Sequence, residues 1–513
     1  MPSRKKRLEV SHPGMDRGTL NRVDVNLGIR NWSRSAGVLA ALCVMSVSAV
    51  AQLTAELPPA PAPTSAALQQ YQSTLPAGMT VERASGGVLP LSLDEAITRA
   101  VATNLGVELA VTNQARIRGL QSTVLNALTP SLKASGSSST QEINLAAMGF
   151  KSATIAAFGL NPADFPTIVK VNVTNAQVSL NQQLFNVPAY FLYRASQKAG
   201  TVATMQTANA RESVALRTGM QYLRILADAA QIENARSQVE SDRVAFEQAR
   251  DRQQAGVGVH LDTLRAEVQL KNEQQVLIST ESTYLKDKIA LNRTMGIAAD
   301  QEIELTDKTP YADVAMLSHD DLLARAYTGR QDLLGLEAQR EVLMRTERAA
   351  RYERLPTVAM SGYYGVIGET TGLYHGVFSA MGRLNFPIFE EAQFRGEREV
   401  AQSQLSSVAR QIDSLRGTID QQVRSSMLDI ASSHELVRVA RSNVDLAKQE
   451  LSDSEQRFTA GVDDTLPVVQ AQATLAAAEN QLVQATYQYN VAKLQLGSSV
   501  GDVSTEYRTL LGR

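Results

Sequence analysis

Hydrophobic and polar positions change period several times along this chain, and the changes recur. Leu405, Val408, Ile412, Leu415 and Ile419 step by three and four, and so do Val437, Ala440, Val444, Ala447 and Leu451. Leu216, Met220, Leu223, Ala227 and Ala230 form a matching row earlier. Such rows are the seams of coiled-coil helices. No proline occurs from Ala189 to Thr309 or from Ile388 to Leu466, so these helices can run far. The stretch 189–254 alone predicts roughly 100 Å of helix.

After Pro130 and Pro356 the period shortens to two. Val169, Val171 and Val173 alternate with polar residues, then Ala176, Val178 and Leu180 do so on the opposite parity. That flip predicts a bulge near Asn175. In the later stretch Phe378, Ala380, Leu384, Phe386 and Ile388 oppose Ser379, Arg383 and Asn385. Two hairpins are expected, with strands at 131–144 and 168–185, then at 357–366 and 376–388. One apolar and one polar face suits a membrane barrel strand and a soluble antiparallel sheet equally.

The recurrence is a duplication. Ala255-Gly256-Val257 and Ala460-Gly461-Val462 each end a long helical pattern, and a shift of 205 residues (460 − 255) superposes them. The same shift sets Leu270 on Leu475, Leu291 on Leu496 and Gly296 on Gly501. Glycine at that place ends one helix and turns the chain into the next, which makes each motif the tip of an antiparallel helix pair. The opening helices also match. Ser92 and Glu95 form a capping box for a helix running to about Leu128, and its copy starts at Ser318 and ends before Pro356. Here the shift is 226 (356 − 130). It falls to 204 (384 − 180) across the hairpin, so the first hairpin carries about 22 extra residues, placed in Leu145–Pro166. The chain divides into a first repeat at 91–300, a linker at 301–316, a second repeat at 317–503 and a tail at 504–513.

The region ahead of the repeats reads as a leader and a tether. Arg30 and Arg34 precede an apolar run from Ala36 to Val50, and Ser48-Ala49-Val50-Ala51 offers small residues for cleavage before Gln52. The run is short for a membrane anchor. Cys43, the only cysteine, follows Leu42 rather than the small residue that lipidation wants. Residues 1–51 are expected to be a signal peptide and 52–90, with Leu57-Pro58-Pro59-Ala60-Pro61-Ala62-Pro63, a stiff tether. Removing eight basic and three acidic leader residues takes the formal charge from −2 to −7. An acidic exported chain is a poor ligand for nucleic acid, and without a thiol it has no disulfide or thiolate metal site.

Candidate chemistry adds little. His12, His260, His319, His375 and His434 never fall at metal-ligand spacing and read as surface residues. Gly256-Val257-Gly258 lacks the strand and the third glycine of a dinucleotide loop. No nucleophile elbow or Walker lysine is present. Asp and Glu lie on helix faces that also carry Lys and Arg, where solvation explains them. No catalytic, cofactor or metal residue is assigned, and the chain does not read as an enzyme.

The order of these features resembles the TolC-type outer-membrane efflux family. The matching residues are Leu91-Ser92-Leu93-Asp94-Glu95-Ala96-Ile97, the strand starts after Pro130 and Pro356, the Ala-Gly-Val tips, and the helix ends at Leu291–Gly296 and Leu496–Gly501. The resemblance covers about residues 90–503. It implies a mainly α fold with a transmembrane β-barrel: a homotrimer with four strands per chain in one 12-stranded barrel, and a periplasmic α-helical tunnel. It also implies an outer-membrane location extending into the periplasm. In such a protein Gly256, Val257, Gly461 and Val462 at the tips would face the inner membrane and meet a periplasmic adaptor, with an inner-membrane pump as the further partner. Family members carry aspartates after the second tip that ring the tunnel mouth; Pro467 and Gln470 occupy those positions here. Asp463 and Asp464 are the nearest carboxylates, and Asp463, Asp464 and Gln470 are the candidate tunnel-mouth residues. A periplasmic adaptor, or a structural coiled coil, is the competing reading, against which the duplicated strand pairs and the leader count.

Overall fold

The computed structural model describes residues 78, 87–159, 161–307, 311–313, 317–369, 372–460, 462–463 and 465–511. The expected signal peptide, all of the tether but Gly78 and Gly87–Pro90, and the tip residues Gly461 and Asp464 lie outside the described residues. The chain divides into two compact units. Among the described residues, one contains those within 140–171 and the other contains the rest.

The chain runs through two repeats of helix, hairpin, long helix and helix, all in the larger unit except the far ends of the first hairpin's strands. The first opens with β1 (Leu89–Leu91) and α1 (Leu93–Thr103), where Ser92 and Glu95 form the reciprocal capping box. α2 (Leu105–Asn126) follows, then β2 (Ser131–Asn144) and β3 (Ile168–Phe185). α4 (Val187–Gln254) and α5 (His260–Thr294) complete it. A short strand β4 (Ile303–Leu305) lies in the linker and pairs in parallel with β1. The second repeat is α6 (His319–Gly329), α7 (Gln331–Tyr352), β5 (Thr357–Glu369), β6 (Tyr374–Asn385), α8 (Glu391–Thr459) and α9 (Thr465–Val500). The segment read as a tail is the helix α10 (Val503–Leu511), held because Val503, Tyr507 and Leu511 step by four and are buried. Tyr507 and Arg508 both bond Asp94, and Ser504 bonds Glu212.

The opening helix, expected from its unbroken period to run continuously to about Leu128, is instead two helices. It breaks at Asn104, which is extended (φ −70°, ψ 127°) and whose side chain accepts from the Gly106 N–H at 2.8 Å. The second repeat breaks at Arg330 (φ −70°, ψ 118°), 226 residues on. Each break is clamped by the end of its repeat's last helix. Thr103 donates to the Met295 carbonyl (2.8 Å), and a Cβ on Gly501 would lie 2.9 Å from Arg330 Cα and N. Both closing glycines, Gly296 (φ 66°) and Gly501 (φ 92°), are left-handed, where glycine is free of strain.

Two cores follow the seams. One packs Leu93, Ile97, Tyr222, Leu226, Leu291 and Met295; the other packs Val408, Ile412, Ile419, Val437, Tyr489 and Leu496. The buried Tyr222 hydroxyl lies 2.9 Å from the Leu91 carbonyl and 2.8 Å from Asp307 Oδ2, which also accepts from the Leu93 N–H (2.8 Å). Lys493 is buried on α9, donates to the Ala312 carbonyl (3.1 Å) and lies over the Tyr489 ring. His319, expected on the surface, is 19% exposed beside Asp420. Solvation likewise fails for Asp228 and Asp242, which are buried in α4.

In the smaller unit the extra residues form a compact insert with α3 (Ser152–Ala157) and a one-turn helix at Pro162–Asp164. Gly149 and Gly159 turn it through positive φ, and the Leu145 N–H bonds the Thr167 carbonyl at its base. Ile155 is buried, whereas Phe150, Phe158 and Phe165 are exposed.

Candidate functional site

Two surfaces stand out, a sheet face and the hairpin tips. The four strands order as β2-β3-β5-β6, leaving β2 and β6 as open edges. Register defines which side chains share a face. Tyr364 is opposite Phe378 on β6 and Val178 on β3, and Gly362 is opposite Ala380 and Leu180. With a side-chain period of two, one face therefore carries Ala176, Val178, Leu180, Val358, Met360, Tyr364, Val366, Phe378, Ala380 and Leu384. The other carries Asn175, Gln177, Ser179, Asn181, Ser361, Ser379, Arg383 and Asn385, with Tyr363, Ile367, Val377 and Met381 among them. The apolar face is open: Tyr364 is 71% exposed, Phe378 79% and Leu384 69%. Phe185, Phe386 and Phe389 add exposed aromatics at its helix-side margin.

The expected bulge at Asn175 is not in this pairing, whose register is unbroken from Val173 to Gln183. It falls between Gln183 and Phe185 instead. The extra residue moves Phe185 onto the apolar face beside Val358, a re-aiming that bulges perform. The parity flip in the sequence has another cause, since Val173 belongs to the polar face of an unbroken strand.

The first tip is a Schellman turn. Gly256 (φ 73°) donates to the Gln253 carbonyl (3.1 Å) and Val257 to the Arg252 carbonyl (3.0 Å), which satisfies two of the helix's last carbonyls. The second tip repeats the longer bond, from the Val462 N–H to the Arg457 carbonyl (3.0 Å). Both valines are thrust outward, Val257 at 79% and Val462 at 65% exposure, with Val259, Leu261 and Leu466 exposed nearby. No atom lies within 4 Å of a Cβ built on Gly256.

The structure joins the two tips through residues that the sequence reading passed over. The Arg252 guanidinium lies 3.9 Å from the Phe458 ring centroid, linking the end of α4 to the end of α8. Arg457 Nε donates to Asp463 Oδ2 at 2.6 Å, and this pairing holds the Asp463 carboxyl below the usual carboxylate range. Arg252 and Arg457 are themselves copies at the 205-residue shift, which is the signal that was available. Gln470 is exposed on α9. Among the described residues no group of three or more His, Cys, Asp or Glu is placed to hold a metal. No described helix is long and apolar enough to cross a membrane.

Comparison with known proteins agrees with this geometry. The family model for outer membrane efflux proteins matches residues 113–297 and 322–502. The outer membrane protein TolC of Escherichia coli is 20% identical over 363 residues, 66% of this chain and 71% of TolC. The alkaline protease secretion protein AprF of Pseudomonas aeruginosa is 24% identical over 332 residues, 62% of this chain and 68% of AprF. Among solved structures, the CmeC outer membrane channel of Campylobacter jejuni superposes with a TM-score of 0.69 at 14% identity, covering 80% of this chain and 86% of CmeC.

Proposed function

This chain belongs to the outer membrane efflux protein family, and from that premise we propose that it is the outer-membrane channel of a tripartite export system. It is a passive conduit reaching into the periplasm. The observation that carries the reading is the two-faced sheet. Its apolar face is fit for lipid and its polar face for a water-filled lumen. Two open edges are incompatible with a membrane interior, where every backbone group must be paired. Four strands are too few to close a barrel, so copies must supply the rest, and three give twelve strands.

The helices support the same homotrimer. On α5, Leu261, Leu264, Val268, Ile278, Leu285 and Ile289 lie at coiled-coil spacing yet are exposed. On α8, Leu428, Val439 and Leu446 do likewise. These uncovered seams fit helices of neighbouring copies.

The tips are the proposed docking points for a periplasmic adaptor, which couples the channel to an inner-membrane pump. Exposed Val257 and Val462 present an apolar surface, with Gly256 and Gly461 allowing close approach. Asp463 and Asp464 are the carboxylates proposed to favour cations at the tunnel mouth, with uncharged Gln470 on the helix beyond. The bond from Arg457 offsets part of the Asp463 field.

The test is a planar-bilayer recording of protein extracted from salt-washed outer membranes. Stable single-channel conductance is expected, and Asp463→Asn with Asp464→Asn lowers cation selectivity and weakens divalent block. Loss of the protein in the salt wash, or no conductance, overturns the channel; unchanged reversal potentials overturn the role of the aspartates alone.

A further inference from the structure

Two layers of carboxyl groups, each with one buried and one half-buried member, lie in the seam between α4 and α5. Asp228 and Asp242 are 1% and 2% exposed, and the Oδ2 atom of each has no hydrogen-bond partner. They are fourteen residues apart, two heptads, and so share one stripe of α4. On α5, Glu273 and Asp287 are also fourteen apart. The antiparallel course brings Asp287 to Asp228 and Glu273 to Asp242. Acid faces acid across this seam twice.

The surroundings do not neutralise both layers. Arg224 Nε lies 3.1 Å from Asp228 Oδ1 and 3.6 Å from Asp287 Oδ2, one cation shared by two carboxyls. Tyr284 of α5 and Tyr487 of α9 also face Asp228, and Arg224 lies over the Tyr487 ring. At the second layer the Gln238 amide donates to Asp242 Oδ1 (3.0 Å), and Gln269 of α5 bonds Asp242 and Glu273. From α9, Gln472 reaches Ser241 beside it (2.9 Å). None of these partners of the second layer is a cation.

The duplication supplies the control. At the 205-residue shift the four acids become Ser433, Ala447, Ala478 and Ala492, all buried in the seam between α8 and α9. The helix-pair scaffold therefore needs no acid at these layers, and only the first copy has them.

We propose that the Asp228–Asp287 and Asp242–Glu273 layers bind protons that close the α4–α5 seam, making this helix pair, and not its α8–α9 copy, responsive to pH. Burial and the Asp287 carboxyl push Asp228 up to about 7, and burial with the Glu273 charge pushes Asp242 up to about 6. Burial raises Glu273 as well. A separated seam would release these protons in the ordinary carboxylate range. The contribution of the layers to closure is complete below the ordinary carboxylate range, falls progressively as pH rises above it, and is fully lost at about 6 for Asp242 and about 7 for Asp228. Above it, unprotonated acids repel across a poorly solvated contact.

Hydrogen exchange on the whole protein in lipid nanodiscs, near about pH 5.5 and about pH 8 and corrected for intrinsic rates, reads the seam directly. Opening of the α5 amides between Leu270 and Ala290 is expected to rise roughly tenfold or more at the higher pH, with α8 and α9 unchanged. Replacing Asp228→Ser, Asp242→Ala, Glu273→Ala and Asp287→Ala writes the second seam into the first and removes the difference. The milder pair Asp228→Asn and Asp242→Asn does the same should the fourfold variant misfold. Equal protection at both pH values, or a difference that survives in the variants, overturns the proposal. Protection restored at high pH by calcium chloride but not by sodium chloride of equal ionic strength also overturns it, because a divalent ion would then be the ligand.

Discussion

Replacing Gly256 separates what a helix cap needs from what a docking surface needs. At φ 73° the backbone is left-handed, and nothing lies within 4 Å of a new Cβ. Gly256→Ala therefore pays only for conformation, about 1–2 kcal/mol. Gly256→Asn pays less, because asparagine tolerates this region and also ends helices. At about 1.4 kcal/mol per tenfold, alanine should raise local opening of the last turn of α4 by roughly five- to thirtyfold. Asparagine should raise it by a smaller factor. The Val257 N–H is the amide to watch in hydrogen exchange, since its bond to the Arg252 carbonyl closes the turn. Global melting should not move in either variant. Adaptor capture then reads the second role: both substitutions put a Cβ on the same open surface, so docking at this glycine predicts equal loss for Ala and Asn. Unchanged Val257 exchange in Gly256→Ala refutes the strain argument. Capture that falls only in step with cap opening refutes close approach.

Tyr222→Phe removes a buried hydroxyl shared by the Leu91 carbonyl and Asp307, and should cost about 1–3 kcal/mol; an unchanged unfolding midpoint would show that water replaces it. Burial pushes the Lys493 amine down to about 8, against about 10.4 for an ordinary lysine. Between those values the unfolded chain holds more protons than the folded one, so stability rises with pH. Comparing melting temperatures of the native chain and Lys493→Met from about pH 7 to about pH 10 should show the native chain gaining on the variant; a constant gap would refute the shift.

Features with a local chemical cause were legible in the sequence. The capping box at Ser92, the Ala255-Gly256-Val257 turn and the long seams each depend on residues close in the chain, and the structure contains them. The helix break at Asn104 was missed because the apolar period runs through it, although asparagine is a usual N-cap and Gly106 follows it. Its copy, Arg330, is no usual cap, but Gly329 stands beside it, so a glycine at each interruption was the signal the duplication carried. The bulge was displaced from Asn175 to Leu184 because hydrophobic parity reports what a face touches, whereas register reports which backbones pair. The acid layers were misread as solvated for a related reason. A single helix with mixed charges looks wet until its partner's phase is known, and only the antiparallel pairing brings Asp228 to Asp287. At the tips, Arg252 on Phe458 joins residues more than two hundred positions apart, which no local pattern contains.

The clamped helix breaks have a mechanical consequence. Each repeat fixes the far end of its last helix, at Gly296 or Gly501, against an interruption in its first, so that end is a pivot. α5 contains 35 residues, a lever arm of roughly 50 Å. A tilt of about 5° at the pivot swings the free end by roughly 4 Å on an arm of that length, more than a water molecule's width. Displacements of that size at the tips thus require no unwinding of either helix, and a shift of a fraction of an ångström beside the closing glycine is multiplied along a rigid rod.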